Sequence, residues 1–287
     1  RNLNAEINNQ GTITIDQDLT DVKSAAVHHN TGTITIATGK ILTFDQGDFN
    51  FDGGDINGAG ILEFTNSATY TVNTTNIPTP GNTMFTSSTL AAPAMVTNLG
   101  NLQFISNNSI TAPVNNGATG VIQISRQSNT MTGALTTVAG SLIKVDAASN
   151  GNSGVLTVSN GFTNNGTIEL TSVTGYSTTL SVTSGTLTNA AGGLIHSIVQ
   201  SGGGRNLNAE INNQGTITID QDITVTSLSF VNDTTGTING SSILTITGTD
   251  LINNGTLSPG TSTTALLSLN GGNLINDSIS TLNIEIG

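Results

Sequence analysis

The chain has 287 residues with 35% hydrophobic but only 3% aromatic content, so it can bury a core, and that core must be mostly aliphatic. Charged residues make up 8%, six basic against 18 acidic, for a net charge of −12; an ordinary soluble domain carries roughly 25%, so solubility here falls to Asn, Thr, Ser and Gln. The cations Arg1, Lys23, Lys40, Arg126, Lys144 and Arg205 are scattered, which speaks against a nucleic-acid surface, zero cysteine excludes disulfides and thiolate metal sites, and no apolar run is long enough for a helical membrane span.

In chain order, the first feature is an exact duplication: RNLNAEINNQGTITIDQD at 1–18 returns unchanged at 205–222. Inside it lies a shorter unit, Gly followed by alternating residues, as in Gly11-Thr12-Ile13-Thr14-Ile15. The unit recurs as GTITI at Gly32, GILEF at Gly60, GNLQF at Gly100, GVIQI at Gly120, SLIKV at Ser141, GTIEL at Gly166, GLIHS at Gly193, GTITI at Gly215, GTING at Gly236 and GTLSP at Gly255. The spacing is mostly 19–28 residues, with one step of 40 between Gly60 and Gly100.

Alternation with period two means strand. The second and fourth residues after each Gly, such as Ile13/Ile15, Leu62/Phe64, Ile143/Val145 and Ile217/Ile219, form the inward column. The third, from Thr14 through Glu63, Lys144, Glu169 and His196 to Ser258, is polar throughout and points outward. Asn or another small residue usually precedes the Gly, suiting a sharp turn. The eight Asn-Gly pairs also admit antiparallel sandwiches, but those need a repeat of roughly 100 residues and usually a bulky aromatic core. The expectation is therefore an all-β chain: one continuous parallel β-helix (β-solenoid) over 1–287, with about 13 rungs at ~22 residues each, about 60 Å long. Lys144 and Glu169 should lie side by side on successive rungs.

Three of the five prolines, Pro78, Pro80 and Pro93, fall in 73–95, which reads as a loop protruding from the body. The stretch DQGDFNFDGGDING at 45–58 is the one acidic cluster. Asp48, Asn50 and Asp52 followed by Gly53 match the start of a calcium loop, D-x-N-x-D-G, and are the candidate Ca2+ ligands. Ala59 stands where an EF-hand needs its bidentate Glu, so an EF-hand is excluded. The bland reading of the same stretch is a strand with Phe49 and Phe51 inward. His28-His29 reads as a solvated turn, and adjacent strand residues point oppositely, which disfavours chelation. Asp16 and Asp18 are copied verbatim at Asp220 and Asp222, as a structural turn would be and a catalytic pair seldom is. No carboxylate–basic constellation marks a catalytic site. The Thr-x-Thr pairs at Thr12/Thr14, Thr33/Thr35 and Thr216/Thr218 form too broken a rank for ice binding.

The segment NNGTLSPGTSTTALLSLNGGNLINDSISTLNIEIG at 253–287 resembles the repeat of autotransporter passenger domains, and NNQGTITI and NNGTIEL are similar to units of filamentous-haemagglutinin-like exoproteins and adhesins. The close match covers about the last 35 residues. The resemblance implies a right-handed β-helix, export, and a structural or adhesive role at the cell surface. No barrel domain or leader is visible to fix the export route. The partners expected are neighbouring copies or adjoining domains, stacked end-on through terminal strands, and a surface glycan or protein target. The alternative on the same scaffold is a carbohydrate-active enzyme, a polysaccharide lyase or hydrolase.

Overall fold

The computed structural model describes residues 1–78, 80–148, 151–260 and 266–283. Among them there is no helix, and all strand pairings are parallel. The chain winds as a β-solenoid of about 13 turns, each carrying up to three short strands on three faces. The first face holds 14 strands in sequence order, from Asn2–Leu3 and Leu19–Asp21 through Ile61–Thr65, Leu142–Asp146 and Thr216–Ile219 to Thr281–Leu282. The second face carries strands such as Val27–Asn30, Asp48–Phe51, Thr69–Val72 and Gly154–Val158. The third is made of Thr12–Ile15, Thr33–Ile36 and Asp55–Asn57 at one end, then Val96–Asn98, Val114–Asn116 and Leu135–Thr137 further along.

The inside/outside pattern holds. Ile34, Ile36, Leu62, Phe64, Leu102, Phe104, Ile122, Ile124, Ile143, Val145, Ile168, Leu170, Ile217 and Ile219 are buried, and Ile13 is half-buried. Lys144 stands directly opposite Glu169 in the register, as expected, although its ammonium lies nearer Asp146, at 3.8 Å.

The face assignment differs from the simple period. Thr12–Ile15 and Thr33–Ile36 sit on the third face, whereas the units from Gly60 onward lie on the first. The 28-residue step from Gly32 to Gly60 is therefore one turn plus one face. The Asn-x-Gly element is a corner followed by a strand, and a three-faced coil has three corners able to use it. The same holds for the duplication: Thr12–Ile15 is on the third face, while its copy Thr216–Ile219 is on the first.

The 40-residue step is two turns. The protruding loop expected over 73–95 is largely absent, because Asn82–Thr86 and Thr89–Ala91 pair within the body on the first and second faces. Thr83 replaces the usual apolar residue in that rung, which hid it from the pattern. What remains irregular is 73–81, of which Thr79 lies outside the described residues. This stretch takes the place of a third-face strand and meets the next rung through a single bridge, Asn76 to Thr97. Pro78 and Pro80 fall there, and Pro93 falls in the turn before Val96–Asn98.

The interior has two non-aliphatic features. Phe44, Phe64, Phe85 and Phe104 occupy one column, with successive ring centroids 5.7, 5.3 and 4.8 Å apart, and Tyr70 stacks on Phe64 at 4.7 Å. The few aromatic residues are thus concentrated in one stretch of the rod. His28 joins them, 4.9 Å from Phe44 and almost fully buried. The solvated turn expected for His28-His29 is instead the strand Val27–Asn30, with His28 inward and His29 outward.

The second feature is a ladder of buried asparagines at the corner entering the first face. Asn164 donates to Asn189 at 2.9 Å, Asn189 to Asn213 at 2.8 Å, Asn213 to Asn232 at 2.7 Å and Asn232 to Asn253 at 2.7 Å. Asn98 and Asn116 form the same contact at 2.8 Å, with Thr137 filling the step between Asn116 and Asn164. Each amide also reaches the carbonyl of the first strand residue on the next rung, as Asn213 does to Thr237 at 3.2 Å. Truncating one member strands buried partners, at a cost of about 1–3 kcal/mol. Asn213→Ala should therefore lower the urea midpoint of unfolding, while Asn254→Ala, at a half-buried position with only backbone bonding, should leave it nearly unchanged.

Burial pushes the His28 imidazole below its ordinary value, outweighing the nearby Asp21, Glu6 and Asp48 charges that favour protonation; His29 adds to the depression. The folded chain keeps His28 neutral where the unfolded chain would take up a proton. This contribution is fully present above the unfolded pKa of about 6.5 and is lost as the pH falls below it. Urea midpoints measured from about pH 7.5 to about pH 5.5 should fall, and His28→Phe should flatten that slope.

Candidate functional site

A regular solenoid repeats its surface, so a distinctive site requires a departure from regularity. The corner between the first and second faces provides one. From Gln46 to Gln127 it is a tight turn with left-handed residues: Gln46 (φ 80°), Asn66 (52°), Ser67 (74°), Ser87 (52°), Asn107 (54°) and Gln127 (51°). Left-handed backbone costs a residue with a Cβ about 1–2 kcal/mol. Rung-to-rung bonds offset this, for instance Ser67 N to Ser87 O at 2.6 Å and Ser87 N to Ser106 O at 2.7 Å.

The next three turns replace the tight corner with longer loops, 147–153, 172–177 and 198–204, of which 149 and 150 lie outside the described residues. These loops stack into a ridge. Thr174 Oγ1 donates to Ala147 O at 2.9 Å, Ser172 Oγ donates to Thr174 O at 2.6 Å, and Gly204 N donates to Ser177 Oγ at 3.3 Å. Gly203, at φ 77°, packs so closely on the Tyr176 carbonyl that a Cβ would collide with it. Arg205, fully buried, anchors the ridge by donating to Gly202 O at 2.6 Å, Gly203 O at 2.7 Å and Ile198 O at 3.0 Å. Asp146 is buried below. Burial pushes its carboxyl above the usual range, against the opposing pull of Lys144, the amides of Val173 and Ala147, and Arg205. The identical Arg1 of the first copy is exposed.

Where the tight corners give way to the ridge lies an open groove of about 550 Å3. Its floor is Asn107, Gln127 and Ser128, and its wall is Asn152, Ser153 and the half-exposed Tyr176. Asn107 donates to Gln127 Oε1 at 2.9 Å, and Gln127 N donates to Ser153 O at 2.6 Å, so floor and wall are tied together.

The candidate calcium ligands lie elsewhere. Asp48 and Asn50 project outward from the strand Asp48–Phe51, whose Phe49 and Phe51 point inward, and Asp52 follows it. Strand geometry spreads alternate side chains about 6.6 Å apart along the chain, so the three share a face without surrounding one point. Asp52 accepts from Asn73 at 2.6 Å and pairs with His29 Nδ1 at 2.6 Å. Burial opposes ionisation of Asp52, but these hydrogen bonds outweigh it and hold the carboxyl below its usual value. Among the described residues no group of three or more His, Asp or Glu is placed to hold a metal ion.

Asp18 and Asp222 serve one role in both copies, each accepting a backbone N–H of the next rung at 3.1 Å, from Ile41 and Ile243. His196, in the outward column, pairs with Asp220 at 2.9 Å. Thr12/Thr14 and Thr216/Thr218 lie on different faces, which separates the Thr pairs further. Neither the ridge nor the groove was apparent in the sequence. The available signal was spacing: the steps after Ser141 and Gly166 are 25 and 27 residues where the other single-turn steps take 19–22.

The chain is thus a parallel β-solenoid, an architecture common to β-helical domains generally. Comparison with family models, curated proteins and solved structures finds no match. Among the described residues no helix is long and apolar enough to cross a membrane.

Arg205→Ala should leave the carbonyls of Ile198, Gly202 and Gly203 without their donor, destabilising the fold by about 3 kcal/mol. Limited proteolysis should then cut within 198–204. Arg1→Ala should do neither.

Proposed function

We propose that the chain is an extracellular structural and adhesive protein, a rigid solenoid that forms or belongs to a cell-surface fibre or adhesin. The observation that carries this reading is the parallel stacking of about 13 turns, with long corner loops on three consecutive turns. Such a body, about 60 Å long, is a spacer that holds a ridge away from its anchor. The motif resemblance at 253–287 and in the NNQGTITI and NNGTIEL units supports the same reading.

The partners in this reading are a surface glycan or protein, and neighbouring copies or adjoining domains stacked end-on.

Beads coated with the chain should attach saturably to cells or extracellular matrix, and soluble chain should compete. Electron microscopy should show rods about 60 Å long or end-to-end multiples of them. Release of reducing ends from polysaccharides without attachment would overturn this reading in favour of a carbohydrate-active enzyme.

A further inference from the structure

The geometry points to the groove beside Tyr176 as a binding site for a neutral saccharide. This rests on the adhesive reading and names the ligand class that the ridge would take.

A sugar ring presents an apolar C–H face and a rim of hydroxyls, each both donor and acceptor. Its recognition needs a flat apolar surface beside groups that can donate and accept. Tyr176 supplies the ring, 45% exposed and lining the groove. Asn107, Gln127 and Asn152 supply amides, and Ser128 and Ser153 supply hydroxyls, covering both hydrogen-bond roles. Among the described residues the lining holds no carboxylate and no cation, and the chain carries a net charge of −12, so nothing among them would select an acidic sugar over a neutral one. A volume of about 550 Å3 lies within the range of small-ligand sites, about 300–1,000 Å3.

The site is also held in shape before any ligand arrives. Asn107 and Gln127 are fixed in left-handed turns and bonded to each other, Gln127 is tied to Ser153, and Gly151 lies against the Tyr176 hydroxyl. Tyr176 itself is fixed through its loop, since its backbone backs onto Gly203, in the segment whose carbonyls Arg205 holds. Preorganisation of this kind lowers the ordering cost of binding.

The other cavities lack this chemistry. The cleft of about 320 Å3 beside Pro78 has no exposed aromatic ring, and its one carboxylate, Asp55, already accepts from Asn57 at 2.7 Å. The groove of about 450 Å3 beneath the exposed Leu228 has no aromatic residue.

The test applies the full chain, Tyr176→Ala and Tyr176→Phe to an immobilised panel of neutral gluco-, galacto- and manno-oligosaccharides with their sialylated and sulfated counterparts. The expected result is binding to at least one neutral class, weakened about tenfold or more by Tyr176→Ala and retained by Tyr176→Phe. Circular dichroism should be unchanged, since the side chain is half-exposed. Absence of neutral binding, preference for the anionic counterparts, or equal binding by Tyr176→Ala would overturn the inference. Chain-coated beads separate it from the adhesive reading. Attachment to cells with no Tyr176-dependent binding on the panel removes the saccharide site and leaves adhesion standing. Panel binding without any cell attachment removes adhesion and leaves the site.

Discussion

The corner that enters the first face of this solenoid carries inward carbonyls that must be satisfied away from water. From Asn98 to Asn253 a buried asparagine amide does this on every turn but the one that carries Thr137. Asn213 donates to the Asn232 side chain and to the Thr237 carbonyl one rung on, while its own oxygen accepts from Asn189. An unpaired buried amide would cost as much as several apolar contacts supply, so each rung is stable only with its neighbours in register. A shift by one residue would turn the Asn outward and the Thr column inward. The ladder therefore fixes the register that the aliphatic columns alone, Ile stacked on Ile, would fix less sharply. It also explains a composition rich in Asn and poor in charge: the polar groups that hold the fold are neutral and buried.

Because the corner module is local, it works wherever a corner occurs. Asn9 donates to Asn30 at 2.7 Å and to Thr33 O at 3.2 Å on the corner entering the third face, and its copy Asn213 makes the equivalent contacts on the corner entering the first. Asp18 and Asp222 likewise serve the same backbone role in both. The arginine's surroundings invert, exposed as Arg1 and fully buried as Arg205. An 18-residue block can thus be copied one face out of phase and still fold, since each rung answers only to its neighbours.

The same locality sets the limit on what the sequence reveals. The period and the inward columns were legible because alternation and Gly spacing are short-range signals, and Leu62/Phe64 or Ile143/Val145 obey them. Which face a unit occupies was not, because Thr12–Ile15 and Thr216–Ile219 are identical in sequence and differ only in how many corners precede them. The rung at Asn82–Thr86 was hidden by Thr83 in an apolar position. The left-handed column also uses Gln46, Ser87 and Gln127, residues that do not favour that conformation, and rung-to-rung bonding helps hold it. The groove was least visible of all. Asn107, Gln127, Ser153 and Tyr176 come from four turns, and only stacking brings them together.

A stack of near-identical rungs presents a near-identical exterior, with short polar side chains repeated every strand spacing. Such a surface can be soluble and stiff, but it offers a ligand many equivalent positions and no reason to prefer one. Selectivity has to come from a place where the repeat is broken and the break is held rigid. Here three adjacent corners lengthen together, and two buried charges, Arg205 and Asp146, lie beneath them. Burying ions is expensive unless their hydrogen bonds are met. Arg205 bonds three carbonyls through its two terminal nitrogens, all of them on the loop 198–204, while its Nε is left without a partner. The arginine's hydrogen bonds thus go to holding an irregular loop in place rather than to holding rungs together, which makes the ridge a fixed departure from the repeat instead of a loose insertion into it.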